Sequence, residues 1–293
     1  MNNGGGGLTV ATVVQQMSDL LRPTLGADAS SEARELLALI HDQPRHWPTV
    51  GAAQPITDDE RTVAIAAAKR RAAGAPIQYA AGRAAFRHLT LDVDERVLIP
   101  RPETEMLVDI VLERTLSERG GTAVDVGTGS GAIALALATE GRFERVIATD
   151  VSLDALAVAR ANAERYAGRS CARVEIRHGS LLGAVTERGL RAVVSNPPYI
   201  SFDEAAELPS AVRDWEPSVA LFSGADGMAT TEQLVREAAC SLAPGGVLAL
   251  EGDMRRIRVV AEFTRTLGAY VDVQVLADLT GRDRFVVARK RED

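Results

Sequence analysis

Three short stretches hold the residues best suited to chemistry. In "VVSNPPYIS" (193–201) an apolar run stops at Asn196, Pro197, Pro198 and Tyr199. Proline fixes φ and carries no N–H, so the tetrapeptide is stiff and nearby carbonyls are free to accept hydrogen bonds. The Asn196 side-chain oxygen and the Pro197 carbonyl make a rigid pair of acceptors, and Tyr199 adds a flat face for stacking. Two such acceptors suit a planar –NH2 with a delocalised lone pair, as in a carboxamide or an exocyclic base amine. Accepting both hydrogens orients the nitrogen and helps localise its lone pair, which can then attack the methyl of a sulfonium in line. Catalysis of this kind rests on positioning and electrostatics rather than on a strong base. The methylated nitrogen is itself acidic, so no dedicated carboxylate is needed to remove its proton. Asn196, Pro197 and Tyr199 are the expected catalytic residues, and Pro198 joins them in binding the substrate group.

The second stretch is "VDVGTGSGA", with Gly127, Gly129 and Gly131 set directly after a strand-like run and before a helix-like one. Glycines there allow a tight turn and a close backbone approach to a ligand. Thr128 and Ser130 complete the loop, and Asn196 joins it as a cofactor contact. The third stretch ends at Asp150, 19 residues past Gly131, where a carboxylate can accept from ribose hydroxyls. Together these point to an adenosine-containing cofactor. Which one stays open, because Gly127, Gly129 and Ala132 also satisfy the G-x-G-x-x-G/A dinucleotide pattern. With Asp125 two residues before the loop, the stretch also resembles the first motif of class I S-adenosylmethionine methyltransferases.

The elements that position these residues are legible as alternation. From Thr122 onward, strand-like "TAVDVG", "RVIATD", "RVEIRHG", "RAVVSN", "GVLALEG", "YVDVQVLAD" and "RFVVARK" are interleaved with helical stretches such as "SLDALAVARANAERYAG". Such alternation means βαβ units and a mostly parallel sheet, with ligands bound beyond the carboxyl ends of the strands. Residues 8–84 instead carry helical periodicity and read as a small bundle. One helix is expected from Thr57, with acids in its first turn and bases in its last, and another from Ser31, which opens "SEARELLALIHD" with Glu35 in its first turns. "FRHLTLDVDERVLIP" alternates with period two, as a hairpin would. The expected division is a disordered tail at 1–7, a helical domain at 8–84, a β-hairpin linker at 85–101 and an α/β domain at 102–293.

Composition narrows the function classes. The chain has 293 residues, a net charge of −7 and 46% hydrophobic residues, an ordinary globular balance. Residues 1–100 hold ten Lys or Arg against eleven Asp or Glu, so no basic domain is masked. Binding to duplex nucleic acid, which needs a field of cations, is not expected. The first ten residues lack a basic and then apolar leader, and no apolar run approaches the ~20 residues of a membrane span. A cytoplasmic protein without membrane association is expected, with Cys171 and Cys240 as buried, reduced thiols.

Beyond these motifs the chain resembles the HemK/PrmC family of peptide chain release factor glutamine methyltransferases. The likeness runs through "GAPIQYAAGRAAFRHLTLDVDERVLIPRPETEMLVD", "VDVGTGSGAIALALA", "ATDVSLDALAVARANA", "VVSNPPYIS", "EPSVALFSGADG", "LAPGGVLALEG" and "DLTGRDRFVVAR", in family order. The resemblance implies a Rossmann-like class I S-adenosylmethionine-dependent methyltransferase. It would have a mostly parallel seven-stranded sheet and a small N-terminal helical bundle joined by a β-hairpin. It implies S-adenosyl-L-methionine held at Gly127–Gly131 and Asp150, and a substrate glutamine at Asn196–Tyr199. That glutamine lies in the Gly-Gly-Gln motif of bacterial class-one release factors, which the helical bundle would help to grip; a monomer is expected. The likeness breaks at "HGSLL", where Ser180 and Leu181 stand in place of the usual acid and aromatic, and in the spacing after Glu251.

Read from the residues alone, an amino-methyltransferase of adenine N6 in DNA or RNA fits "NPPY" as well. An NAD-dependent oxidoreductase would leave that motif unexplained, and a non-catalytic binding module would be favoured if S-adenosylmethionine failed to bind. Lys69, Arg70 and Arg71, with Arg83, Arg87 and His88 near in sequence, read as a solvated basic face, or as one turned to an acidic or RNA-like partner. Arg101, Glu103 and Glu105 are expected either to shape the cofactor pocket or to pin the domain junction. Trp215 is expected either to close over the site or to pack.

Overall fold

The computed structural model describes residues 8–117, 119–224 and 227–292, so the expected disordered tail lies outside them. The chain divides into two compact units. One runs to Ala84 and includes Asp92–Asp94; the other comprises Ala85–Leu91 and the chain from Glu95 onward.

The first unit is helical: α1 (Val10–Leu25), α2 (Ala29–Ile40), short α3 (Trp47–Val50), α4 (Asp58–Ala72) and α5 (Ile77–Ala81). α1 buries Val10, Val13, Val14, Met17 and Leu21, the three- and four-residue steps of one helix face. α4 presents only Ala64, Ala67 and Ala68 to the interior, small residues that allow close approach. Its start is the one expected. Thr57 Oγ1 accepts from the Glu60 N–H at 3.2 Å, and Glu60 Oε2 accepts from the Thr57 N–H at 2.7 Å. Thr57→Ala should lower stability by about 1 kcal/mol, read from the helical circular-dichroism transition in urea. The second expected start is displaced. α2 begins at Ala29, fed by a 3-10 turn at Gly26–Asp28, and no side chain caps it, so its serines lie inside the helix.

A two-stranded hairpin follows, β1 (Arg83–Phe86) and β2 (Leu89–Asp92), turning at Arg87 with φ 54°. The strand character expected of 95–99 is absent. Arg87 is not part of a free basic face. Its backbone N–H donates to Glu105, and its guanidinium grips both Glu140 oxygens at 2.7 and 2.8 Å and Asp109 at 2.8 Å.

The second unit carries α6 (Pro102–Arg114), β3 (Thr122–Val126), α7 (Ala132–Glu140), β4 (Arg145–Asp150), α8 (Leu153–Tyr166), β5 (Arg173–His178) and β6 (Leu190–Ser195). The short helices α9 (Ser210–Arg213) and α10 (Ser218–Leu221) lead to α11 (Ala229–Ser241), β7 (Leu242–Glu251), α12 (Ile257–Thr266), β8 (Tyr270–Ala277) and β9 (Asp283–Lys290). The seven-stranded sheet has the order β5-β4-β3-β6-β7-β9-β8, parallel except for β9, which runs antiparallel to both its neighbours. β6 is buried at every position, and α7 is buried from Ala132 to Ala138, as elements enclosed on both sides must be. A core of Val124, Ile147, Val193, Leu234, Leu248 and Val286 fills one face between sheet and helices. One expectation about the surface is corrected. Cys171 and Cys240 are free but exposed, because one follows α8 in a turn and the other lies on an outward face of α11. No helix among the described residues is long and apolar enough to cross a membrane.

Candidate active site

The carboxyl ends of the central strands each deliver a polar residue: Asp125 on β3, Asp150 on β4, Ser195 on β6 with Asn196 directly after it, Glu251 on β7. Gly127 and Thr128 donate from their N–H groups to the Thr149 carbonyl at 2.8 and 2.9 Å, so the turn after β3 is strapped to the end of β4. The turn then requires three left-handed excursions at alternate residues, Gly127 (φ 72°), Gly129 (φ 54°) and Gly131 (φ 86°). A Cβ built on Gly127 or Gly129 would meet no atom within 4 Å, so at both positions the backbone faces open space. That is the cradle a ligand needs.

Two carboxylates organise this loop. Asp125 is fully buried; its Oδ2 accepts from Thr128 Oγ1 at 2.6 Å and from the Ala134 N–H at 3.0 Å, while Oδ1 has no hydrogen-bond partner. Burial pushes its pKa up to about 7, against the pull of those two donors, and the nearby Asp150 charge adds to the rise. Asp150 accepts from the Gly129 N–H through Oδ2 at 3.0 Å and from the Ser152 N–H through Oδ1 at 2.9 Å. Its orientation is therefore set by the backbone on either side of it.

A cleft of about 280 Å³ opens over these strand ends. Of the residues expected at the site, it is lined by Gly127, Gly129, Asp150, Asn196, Pro197 and Pro198. Ser180 and Leu181 also line it, Leu181 with φ 49°. Thr128, Ser130 and Gly131 are buried behind the loop, where Thr128 braces Asp125 and the Ser130 carbonyl accepts from Asn162 Nδ2. Tyr199 lines a second cavity of about 80 Å³ instead, together with Arg101. Asn196 and Pro197 belong to the walls of both cavities. Trp215 is half-buried and lines neither.

Three side chains at this site were not singled out from sequence. Thr104, in "RPETE", lies between Asn196 and Glu251, accepting from Asn196 Nδ2 at 3.1 Å and donating to Glu251 Oε2 at 2.7 Å. Burial pushes the pKa of Glu251 up to about 7, and burial next to that acid pushes Tyr199 up to about 12. Glu216, almost wholly buried, takes the Arg101 guanidinium at 2.6 Å and so ties the "WEP" loop to the start of α6. The two roles expected for this stretch fall to different residues. Arg101 borders the smaller cavity, and Glu105 accepts from the hairpin at Arg87. A signal for Glu251 was present: an acid ending a strand as apolar as "GVLAL" is as conspicuous as Asp125 or Asp150.

Residues 102–209 match the methyltransferase small domain family. The chain is 45% identical over 224 residues to the release factor glutamine methyltransferase of Moorella thermoacetica, covering 76% of this chain and 78% of that one. To the release factor glutamine methyltransferase of Streptomyces coelicolor it is 38% identical over 289 residues, 96% of each chain. Among solved structures, a methyltransferase from Pyrococcus furiosus superposes with a TM-score of 0.52 at 22% identity, covering 71% of this chain and 92% of that one. The hMettl16 catalytic domain, bound to an RNA hairpin, gives 0.55 at 15% identity, covering 81% and 83%. At such identities these structures speak to the fold alone.

Proposed function

Because this chain belongs to the release factor glutamine methyltransferase family, we propose that it methylates the side-chain amide nitrogen of a release-factor glutamine, with S-adenosyl-L-methionine as donor. The observation that carries the reading is the pair of cavities meeting at Asn196 and Pro197. The larger is walled by glycine backbone and Asp150, groups suited to an adenosine-bearing cation. The smaller, of about 80 Å³, is bordered by Tyr199 and Arg101.

The donor fits the residues present. Open backbone at Gly127 and Gly129 would accommodate its methionine part and Asp150 its ribose hydroxyls. When bound, it supplies an electrophilic methyl on a sulfonium. The protein's own part is to hold the acceptor. Asn196 Oδ1 and the Pro197 carbonyl accept the two hydrogens of the glutamine –NH2, which turns the nitrogen lone pair toward the donor. Attack by that lone pair would take the methyl from the sulfonium, the sulfur keeping the bonding pair. The amide then gives up one proton to solvent. Tyr199, its phenol held neutral by burial, keeps the smaller cavity walled and apolar on one side.

The test is transfer of labelled methyl from S-adenosyl-L-methionine to a purified class-one release factor. A release factor carrying Gln→Ala in its Gly-Gly-Gln motif and unmethylated DNA serve as parallel substrates. Label on the intact release factor alone is the expected result. Label on DNA alone would mean that the acceptor is an adenine amine and the partner reading is wrong.

A further inference from the structure

A carboxamide has two opposite ends, and the end facing the cleft decides what the site can hold. Asn196 Nδ2 reaches Thr104 Oγ1 at 3.1 Å, and Thr104 Oγ1 reaches Glu251 Oε2 at 2.7 Å. Thr104 has a single hydroxyl proton, and an ionised carboxylate offers only acceptors, so that proton goes to Glu251. The Thr104 oxygen is then left as an acceptor, which only the –NH2 end of Asn196 can satisfy. Asn196 Oδ1 is thereby the end turned away from Thr104.

We propose that Thr104 and Glu251 are positioning residues that lock the Asn196 carboxamide with its oxygen toward the acceptor nitrogen. The proposal rests on the amide-methylating function above. A reversed carboxamide would oppose its own hydrogens to those of the substrate –NH2, and the nitrogen would not be held for attack. Neither residue lines the donor cleft: Thr104 is 5% exposed and Glu251 2%. Burying an acid there is costly, and the sites where that cost is retained are often functional ones.

The lock should also respond to pH. Facing Glu251 are Arg284 from β9, Glu103 and Arg101 from the start of α6, Tyr199 from the loop after β6, and Asp253 close by on its own segment. Burial dominates and raises the acid to about 7, while Thr104, Arg284 and Arg101 pull it down and Glu103 pushes it up. Protonated, Glu251 becomes a donor toward Thr104, whose own proton is then free to turn onto Asn196. Activity should therefore fall as pH drops through about 7. The stability contribution runs the other way. It is fully present below the ordinary carboxyl value of 4.5 and is lost as pH rises through about 7.

The experiment compares full-length wild type with Thr104→Val, which removes the hydroxyl at nearly constant shape, Thr104→Ser, which keeps it, and Glu251→Gln. The chain has four asparagines, Asn2, Asn3, Asn162 and Asn196, so selective 15N-asparagine labelling makes the Asn196 side-chain amide directly observable. In Thr104→Val the Asn196 –NH2 signals should move and exchange faster with solvent while those of Asn162 stay. The kcat for release-factor methylation should drop at least ~10-fold, with donor affinity within about twofold. Thr104→Ser should restore both readouts. The wild-type fall in kcat between pH 8 and pH 6 should flatten in Glu251→Gln. The lock is overturned if Thr104→Val keeps its kcat within twofold, or loses it with the Asn196 signals unmoved. If no protein, wild type included, methylates a release factor while the Asn196 signals shift as described, the orientation stands and the substrate reading fails.

Discussion

Asn196→Ala should reduce kcat for amide methylation by about 10²–10³-fold, the usual loss when one preorganised polar contact to the reacting group is removed. Donor affinity should stay within a few-fold, because the Gly127–Gly131 loop and Asp150 are held by β3 and β4 and do not depend on Asn196. Asn196→Asp is the sharper variant. Aspartate keeps two acceptor oxygens, so a site that needed only acceptors would tolerate it. Here it would set a carboxylate where an –NH2 now donates to Thr104, in a chain that already ends on the buried acid Glu251. The new acid would be held protonated or rotated away, and its kcat should fall with that of alanine. Single-turnover methyl transfer at saturating donor separates the chemical loss from any loss of binding.

Asp150→Ala should weaken S-adenosyl-L-methionine binding by about 100-fold or more, measured by calorimetry. A hydrogen bond to a charged acceptor contributes roughly 1.5–3 kcal/mol, and a ribose offers two hydroxyls. Each 1.4 kcal/mol is about a tenfold change in Kd. A second loss adds to the first, since Asp150 also receives the Gly129 and Ser152 N–H groups. Without it the glycine loop keeps its straps to Thr149 and loses the clamp at its tip. Asp150→Asn retains one carbonyl acceptor and should fall between wild type and alanine. In both variants kcat at saturating donor should recover, which distinguishes this position from Asn196.

The two positions differ in how openly the sequence displayed them. The glycine loop and its acid are separated by one strand and one helix, and "NPPY" is contiguous, so each carries its geometry within a short window. The fold was legible for the same reason, because strand and helix periodicities are local properties. Thr104 is not of this kind. It meets Asn196 across 92 residues of chain and Glu251 across 147, and no spacing within "RPETE" announces either partner. Arg87 misled for the converse reason. As one of several bases near in sequence it suggested a charged face, yet folding places it between Glu140 and Asp109, where its charge is satisfied. The cysteines misled through their usual preference for burial, which says nothing about which side of α11 faces outward. Ser31 resembles a cap in sequence because nothing local marks the preceding 3-10 turn.

The order of strands at one side of the sheet has a consequence during synthesis. β9 follows β8 in the chain yet sits between β7 and β8, bonding to both. A ribosome therefore delivers β8 before β9, the strand it pairs with. Until β9 emerges, β7 presents an open row of N–H and C=O groups beside an apolar face that includes Leu248 and Leu250. Such an edge is a template for pairing with another chain. Before then the loops of the donor cleft can already form on β3, β4 and β6, whereas Glu251, at the tip of β7, acquires its Phe285 neighbour in the ladder only with β9. The nascent protein should thus gain its grip on the donor before the acid that orders the acceptor side has its final surroundings.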